Sequence, residues 1–396
     1  MGKMKKFTGV VLMALLVLLL ASCDSSKALT NKSFKNYTMT RTVSGVSMNE
    51  TDPVYVVEKD DDTYKVTDGD ETHYYMDFGT VTYEYKTVEV EVEKEESEES
   101  EEKEKVSYTT STLVEVELSN VKEALESLTK GELTKKAKGE YSFNVLKENK
   151  VLSSLLDGIN LDKVTVLKEA YDRGLIEANE ATLTLDGSVI KNITMKFSYA
   201  SQDIVISTEF SKVGSTTVEF VEESTYDKEY KNYLVDKAPV VTLNFKGYGK
   251  VKVQLFVDSS ANFYNAVNYF LYLFKNNYYS KATVSSASTS VIQFGKSSKE
   301  LTQTITTQTL HEVQNKRGTL ALIFSDSDDK NTSELIFNLS DNSSSYESKG
   351  YCPIGGVISG FSVLDKLSGM AEDENVQVTI TLKYNGFTYE APKFTS

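Results

Sequence analysis

The sequence has few of the residues that build disulfide-linked or metal-bound proteins. Its 396 residues include two cysteines, two histidines, four prolines and no tryptophan. The cysteines are Cys23 and Cys352, and the histidines, His73 and His311, are far apart in the sequence. Zinc sites need clustered Cys and His ligands. The sequence therefore predicts no metal site and no cofactor, and a fold stabilised by its hydrophobic cores.

Positive charge is also scarce. The 58 acidic residues outnumber the 43 basic ones, which gives a net charge of −15. Nucleic-acid binding needs basic patches, so it is not expected. Arginine occurs only at 41, 173 and 317, which leaves few guanidinium groups for any chemistry that needs one. The acidic stretch 326–331 lacks the central glycine and the final glutamate of a calcium loop, which favours an ordinary polar loop.

The first residues form a processing signal. Three lysines (Lys3, Lys5 and Lys6) precede an apolar run, 7–20, that is too short to span a bilayer comfortably. Leu-Ala-Ser-Cys at 20–23 then matches a bacterial lipobox. We expect a signal peptide at 1–22, lipid attachment at Cys23, a tether at 23–33, and a position on the extracytoplasmic face of the cell membrane. The alternative is an ordinary secretory signal that happens to end near a cysteine.

Alternating patterns and helical patterns share the first half of the chain. Short strands are expected from residue 37 to 118, amphipathic helices at 120–131, 146–156 and 162–173, and a strand meander from residue 181. We therefore predict an α+β domain at 34–225, an antiparallel sheet with helices on one face. The acidic run within 93–106 cannot bury apolar surface and is expected to be a disordered insert. It is either a solvated hairpin tip or a tail that binds cations or a partner.

The meander at 183–197 reads Leu-Thr-Leu-Asp-Gly-Ser-Val-Ile-Lys-Asn-Ile-Thr-Met-Lys-Phe. It resembles the sheet of LolA/LppX-type lipoprotein-carrier domains, whose members cup an apolar ligand between a curved sheet and helices. The resemblance implies an apolar ligand in the N-terminal domain. A charged segment, 226–239, follows and is expected to be a linker.

Three blocks distinguish the second half. They are Lys-Arg-Gly-Thr-Leu-Ala-Leu-Ile at 316–323, Thr-Ser-Glu-Leu-Ile-Phe-Asn-Leu-Ser-Asp-Asn at 332–342, and Ile-Gly-Gly-Val-Ile-Ser-Gly-Phe-Ser-Val-Leu-Asp-Lys-Leu-Ser-Gly at 354–369. Their order and spacing resemble those of a cyclophilin-type peptidyl-prolyl isomerase. The resemblance covers 240–384 and implies a mainly-β cyclophilin-like barrel in a domain at 240–396. It also implies that proline-containing peptides are the partners.

The resemblance places a substrate groove on named residues. Gln293 matches one groove glutamine of the family, and Glu334 replaces the other. Serine stands where the family has its catalytic arginine, at Ser285 or Ser286. Ser290 and Ile336 stand where the family has aromatic residues, and Val291 keeps the apolar character of its position. Tyr346 and Tyr351 fall near the family tryptophan and histidine.

The missing arginine bears directly on catalysis. Rotation about a peptide bond has a barrier of about 18–20 kcal/mol, and the family lowers it with a cationic donor aimed at the proline nitrogen. Arg317 is the only arginine of this half, and its Arg-Gly context favours a structural role. We expect a lipoprotein that binds proline segments of exported proteins, with weak isomerase activity. The competing hypothesis is a non-catalytic module that carries a lipid or apolar peptide in its N-terminal domain. A cation beside Gln293 would distinguish them.

Overall fold

The computed structural model of the chain describes residues 35–44, 54–93, 103–116, 118, 133–144, 180–187, 189–199, 202–236, 238–257, 264–306, 313–324, 331–386 and 389–394. The signal peptide, Cys23, the tether, the acidic stretch 326–330, His311 and the three helices predicted at 120–131, 146–156 and 162–173 lie outside the described residues. No helix in the described part of the chain is long and apolar enough to cross a membrane.

The described residues form nineteen strands. The first eleven are β1 (Asn36–Ser44), β2 (Val54–Asp60), β3 (Thr63–Asp68), β4 (Glu71–Asp77), β5 (Thr82–Glu93), β6 (Lys103–Val114), β7 (Thr134–Ala137), β8 (Glu140–Asn144), β9 (Glu180–Asp186), β10 (Val189–Tyr199) and β11 (Gln202–Ser211). The others are β12 (Val240–Phe245), β13 (Gly249–Leu255), β14 (Val284–Ala287), β15 (Val291–Phe294), β16 (Thr319–Phe324), β17 (Asn331–Asn338), β18 (Cys352–Ser359) and β19 (Val378–Lys383).

Three helices accompany them among the described residues, all in the second half. They are α1 (Asn265–Lys275), the one-turn α2 (Ser343–Tyr346) and α3 (Phe361–Ser368). A 3₁₀ turn covers Glu229–Tyr233. The chain divides into two compact units: one holds the described residues up to Asp77 and from Glu115 to Phe220, and the other holds Phe78–Val114 and Val221–Ser396.

The first unit is mainly sheet. Its strands run in the order β4-β3-β2-β1-β11-β10-β9-β8-β7, with antiparallel partners. Burial alternates along β1, where Tyr37, Met39, Arg41 and Val43 face inward and the threonines between them are half-buried. The period of two thus predicted these strands correctly. The helices of the predicted α+β domain fall outside the described residues, so the helical layer and its apolar ligand stay predictions.

Arg41 also faces inward on β1 and is 1% exposed. Its Nε donates to the Thr208 hydroxyl at 3.2 Å, and its guanidinium lies 6.0 Å from the centre of the Tyr55 ring. A charge buried among apolar residues needs polar partners of this kind.

The second unit contains a curled sheet with the order β14-β15-β17-β16-β18-β13-β12-β19. The two ends of this sheet meet. The backbone N–H of Val284 donates to Val376, and that of Val378 donates to Ala282. Apolar side chains from the inner face and from α1 and α3 fill the interior, including Phe245, Phe270, Phe294, Phe337 and Leu364. This curled half-barrel sheet confirms the mainly-β character that the sequence predicted for this half.

The β5–β6 hairpin belongs to this second unit, although the sequence placed both strands in the N-terminal domain. Its strands pair from Thr82 with Val114 out to Glu93 with Lys103. The predicted disordered insert, 93–106, therefore has its outer residues in strands, and 94–102 lie outside the described residues. Val88, Val90 and Val92 alternate with glutamates on β5 and carry the ladder further towards the tip than the acidic composition suggested.

The predicted linker, 226–239, is packed rather than free. Tyr230 is 2% exposed, and its hydroxyl donates to the Val357 carbonyl at 2.9 Å. A side chain at Gly356 would place its Cβ 2.3 Å from the Tyr230 ring, and one at Gly318 would place it 2.4 Å from the hydroxyl. Gly318 also has φ of +91°, a conformation that favours glycine. These two glycines therefore make room for Tyr230.

Candidate functional site

Two neighbouring strands present the predicted groove residues on one face. Along β15 burial alternates, with Ile292 and Phe294 in the interior and Val291 and Gln293 half-exposed. Gln293 pairs with Ile336 across the β15–β17 ladder. Because directly opposed residues in a sheet point to the same face, Gln293 and Ile336 lie together on the outer side. Glu334, two residues before Ile336, shares that side.

An apolar cluster covers part of this outer face and is separate from the main core. We call it the outer patch, and its members are Val291, Ala321, Ile323, Ile336, Tyr346 and Tyr351. The Tyr346 and Tyr351 rings lie 4.8 Å apart between centres, at an angle of 41°. Four of the nine groove residues predicted from the sequence thus come together here, although they come from three separate segments of the chain.

A polar pair lies on the same face. The Gln293 side-chain amide donates to a carboxylate oxygen of Glu334 over 3.1 Å. An ionised carboxylate can only accept, so the Gln293 nitrogen must be the atom that faces it. Within the described residues, no lysine or arginine forms an ion pair with Glu334. The cation that would have indicated an ordinary catalytic site beside Gln293 is not found in the part of the chain that the structure describes.

Ser285 and Ser286 lie on β14 and are exposed. The Ser285 hydroxyl donates to the backbone carbonyl of Gln293 at 3.1 Å, so it ties the β14–β15 hairpin together. Ser286 is the residue that pairs with Gln293 in the ladder. Both serines therefore stand beside the polar pair, and neither is a member of the outer patch.

A layer of buried amides supports the patch. Asn338 is fully buried and donates to Asn315 and to the Thr319 hydroxyl at 3.2 and 2.9 Å. Asn315 in turn donates to the Tyr351 carbonyl at 3.0 Å. Asn342 donates to the Ser290 carbonyl at 3.1 Å, which fixes the tip of the β14–β15 hairpin. The sequence analysis missed this network, although Asn338 and Asn342 in the second block and Asn315 just before the first block were its signal.

Arg317 lies elsewhere, in what we call the Arg317 cluster: Arg317, Glu223, Asp365 and Lys228. Arg317 grips Glu223 with two nitrogens at 3.2 and 2.7 Å and donates to Asp365 at 2.8 Å. Lys228 pairs with the same Glu223. The two carboxylate side chains are 0% exposed, and the four charges sum to zero. The structural role expected for Arg317 fits this geometry.

The ionisation of the cluster follows from burial and pairing. Burial alone would raise the pKa of Glu223, but Arg317 and Lys228 outweigh it and hold the pKa below its ordinary value. Burial raises the pKa of Asp365, and Arg317 offsets only part of that effect. Burial alone would lower the pKa of Arg317, but Asp365 and Glu223 raise it, so the guanidinium stays charged.

The β5–β6 hairpin completes this cluster within the same unit. The Tyr85 hydroxyl donates to Asp365 at 2.7 Å, and Ser111 donates to Glu223. The Tyr83 hydroxyl lies 3.1 Å from the hydroxyl of Ser368 on α3. Sequence reasoning missed these residues because alternation along a strand predicts which side chains face inward and not what they face.

Metal binding finds no support in the described residues, where no group of three His, Cys, Asp or Glu side chains could hold an ion. Cys352 is buried and makes no disulfide.

Comparison with known proteins identifies the second half. Residues 240–384 match the family described as cyclophilin type peptidyl-prolyl cis-trans isomerase/CLD. A crystal structure of a Cryptosporidium parvum cyclophilin type peptidyl-prolyl cis-trans isomerase is 20% identical, with 36% of this chain and 96% of that chain covered and a TM-score of 0.29. The structure of that isomerase in the presence of the dipeptide Ala-Pro is 21% identical, covers 36% and 98%, and has the same TM-score of 0.29.

Among curated proteins, no relative of this chain is found. The family match coincides with the boundaries that the three sequence blocks predicted, and it includes the curled sheet, the outer patch and the Gln293–Glu334 pair. Residues 240–384 of this chain therefore form a domain of the cyclophilin type.

Proposed function

We propose that the cyclophilin-type domain binds proline-containing segments of other polypeptides on the outer patch and the adjoining Gln293–Glu334 pair. The observation that carries this proposal is the outer patch itself. Its apolar side chains form a cluster outside the main core, and Val291, Tyr346 and Tyr351 remain partly exposed. An exposed apolar surface beside a few polar groups is typical of a site that binds a ligand. A proline ring supplies the apolar surface, and its peptide backbone supplies partners for the polar pair.

We further propose that any isomerase activity of this domain is weak. Catalysis requires a donor at the proline nitrogen as the amide loses its resonance. Here Glu334 can only accept when ionised, the Gln293 amide is already bonded to it, and serine hydroxyls replace the guanidinium. Removing one preorganised donor typically costs roughly 10²- to 10³-fold in rate. The domain therefore acts mainly as a binding module, with proline segments of exported proteins as its clients.

We also propose that the chain is attached to the membrane by lipid. The basic residues before the apolar run, and Leu-Ala-Ser-Cys at 20–23, support lipid attachment at Cys23. A chain anchored there would present its cyclophilin-type domain on the extracytoplasmic face, where exported polypeptides emerge unfolded.

An exchange experiment tests the catalytic part. The full chain is added to a peptide containing Ala-Pro, and cis/trans exchange is followed by NMR, with an ordinary cyclophilin at equal concentration for comparison. We expect catalysed exchange to be about 10²-fold slower or more with this chain. Robust, saturable acceleration would refute the binding-module hypothesis and leave a plain isomerase.

Binding is tested with a fluorescent version of the same peptide. Val291→Thr keeps the size of a half-exposed patch residue and adds a hydroxyl, so it should weaken binding several-fold. Val235→Thr makes the same change at an exposed valine that is not a member of the outer patch, and it should have no effect. Equal affinity of all three proteins would place the binding site elsewhere.

A further inference from the structure

We propose that Glu334 makes this site select segments in which lysine or arginine lies close to the proline. This inference rests on the proposed function, since it names the class of peptide that the outer patch takes. It starts from an observation already described: the carboxylate of Glu334 adjoins the outer patch and accepts a bond from Gln293.

Position is the first argument. Val291 and Gln293 are two residues apart on β15, so their Cα atoms are separated by about 6.5 to 7 Å on the same face, and Gln293 donates to Glu334. Side chains of a bound extended peptide repeat at the same interval. A segment that seats its proline against Val291 and the tyrosines, the half-exposed members of the outer patch, therefore brings a neighbouring side chain to the Gln293–Glu334 pair.

Charge is the second argument. Glu334 is half-buried, and its carboxylate accepts a hydrogen bond from the neutral amide of Gln293. That bond uses one acceptor position on one oxygen, and an ionised carboxylate offers about four. Glu223 in the same unit shows the contrast, because it is buried and paired with both Arg317 and Lys228. Among the described residues Glu334 has no such ion pair, so a peptide can supply the cation.

The surroundings favour the same class of ligand. The chain carries a net charge of −15, which attracts cationic segments and repels acidic ones at long range. The local carboxylate then adds specificity, because a charged hydrogen bond next to an apolar patch is screened less than one in open water.

The test uses the full chain and fluorescent proline peptides that differ at one position. Lysine is placed at each of the three residues on either side of the proline in turn, and each peptide has a glutamine counterpart. We expect the best lysine peptide to bind about tenfold more tightly than its counterpart at low salt, and this preference to shrink as salt is raised.

Two variants test whether Glu334 causes the preference for lysine peptides. Glu334→Gln keeps the shape of the side chain and should reduce the preference for lysine to about twofold or less. Glu372→Gln removes the same charge from an exposed loop near the β12–β13 turn and should leave the preference intact. Equal thermal unfolding of the proteins checks that each variant is folded.

The outcomes separate the two proposals. If both peptide classes bind but lysine gives no advantage, or if the advantage survives Glu334→Gln, the inference about Glu334 is wrong and the peptide-binding function stands. If neither class binds to any of the proteins, the proposed function is wrong as well.

Discussion

Arg317 shows how a single residue can be assigned by its contacts. It is the only arginine of the cyclophilin-type half and was the one candidate to replace the missing catalytic cation. Its donors are instead occupied by Glu223, Asp365 and the Leu339 carbonyl. A guanidinium held by buried carboxylates cannot turn towards a peptide without leaving those charges unpaired. The residue is therefore a structural element of this domain.

We expect Glu223→Gln to lower the free energy of unfolding by about 3 kcal/mol at neutral pH, because it leaves Arg317 and Lys228 without their shared carboxylate. The folded-state pKa of Glu223 lies below its ordinary value of 4.5. Its contribution to stability is therefore complete above that value and is lost as the pH falls through the folded-state pKa. Calorimetry of both proteins at several pH values measures the difference.

The neighbouring Glu222 provides the control. Its carboxylate accepts from the backbone N–H and the hydroxyl of Ser362 on α3, at 3.3 and 2.7 Å, and a glutamine oxygen can accept the same bonds. Glu222→Gln should therefore change stability by less than about 1 kcal/mol. A difference between wild type and Glu223→Gln that stays constant down to strongly acidic pH would contradict the pairing.

The β5–β6 hairpin is the element whose placement differs most from expectation. Its alternation was predicted, and its two strands form as predicted. Its partners could not be predicted, because Tyr85 bonds to Asp365 and Ser111 to Glu223, far along the chain. Sequence proximity assigned it to the N-terminal domain, whereas buried polar contacts group it with α3 and the Arg317 cluster.

A shortened chain of residues 221–396 lacks this hairpin and should unfold about 5 to 10 °C below the corresponding transition of the full chain. The reason is that Asp365 loses the Tyr85 hydroxyl, and Tyr83 no longer covers Ser368. Calorimetry compares the two proteins.

Addition of a peptide of residues 78–114 should recover part of the loss, and the same peptide with Tyr85→Phe should recover less. If the shortened chain unfolds at the temperature of the full-chain transition, the hairpin contributes nothing to the stability of this unit.

The candidate site also shows which features can be predicted from the sequence and which cannot. The resemblance of the sequence blocks to the cyclophilin family named the groove residues, and the ladder between β15 and β17 brings four of them together on one face. Val291, Gln293, Glu334 and Ile336 were therefore predicted from sequence. The Gln293–Glu334 bond and the asparagine layer under Tyr351 depend on side-chain geometry, which no linear pattern contains.

The whole molecule carries both the proposed lipid anchor and the proposed binding surface, and its net charge is strongly negative. Anionic membrane surfaces repel such a chain, so electrostatics alone would not hold it there. The attachment that we propose is covalent lipid at Cys23, because each buried CH₂ contributes about 0.8 kcal/mol and two or three chains anchor stably.

Cys23→Ala should therefore yield an unprocessed chain that takes up no radioactive palmitate in a bacterial host. Cys352→Ala is the matched control, since Cys352 is buried in the barrel and should not affect labelling. Equal labelling of the wild type and Cys23→Ala would show that lipid is not attached at Cys23.

The β5–β6 hairpin and its partners on α3 are far apart in the sequence, so the ribosome makes the hairpin well before its partners. Asp365 leaves the ribosome about 250 residues after β6, roughly 10 to 50 s later at ordinary rates of translation. Throughout that time Tyr83 and Tyr85 have none of the α3 groups that they contact in the finished protein. The nascent hairpin therefore exposes side chains that bind incorrect partners. A chaperone that covers these side chains until translation ends would raise the yield of folded chain.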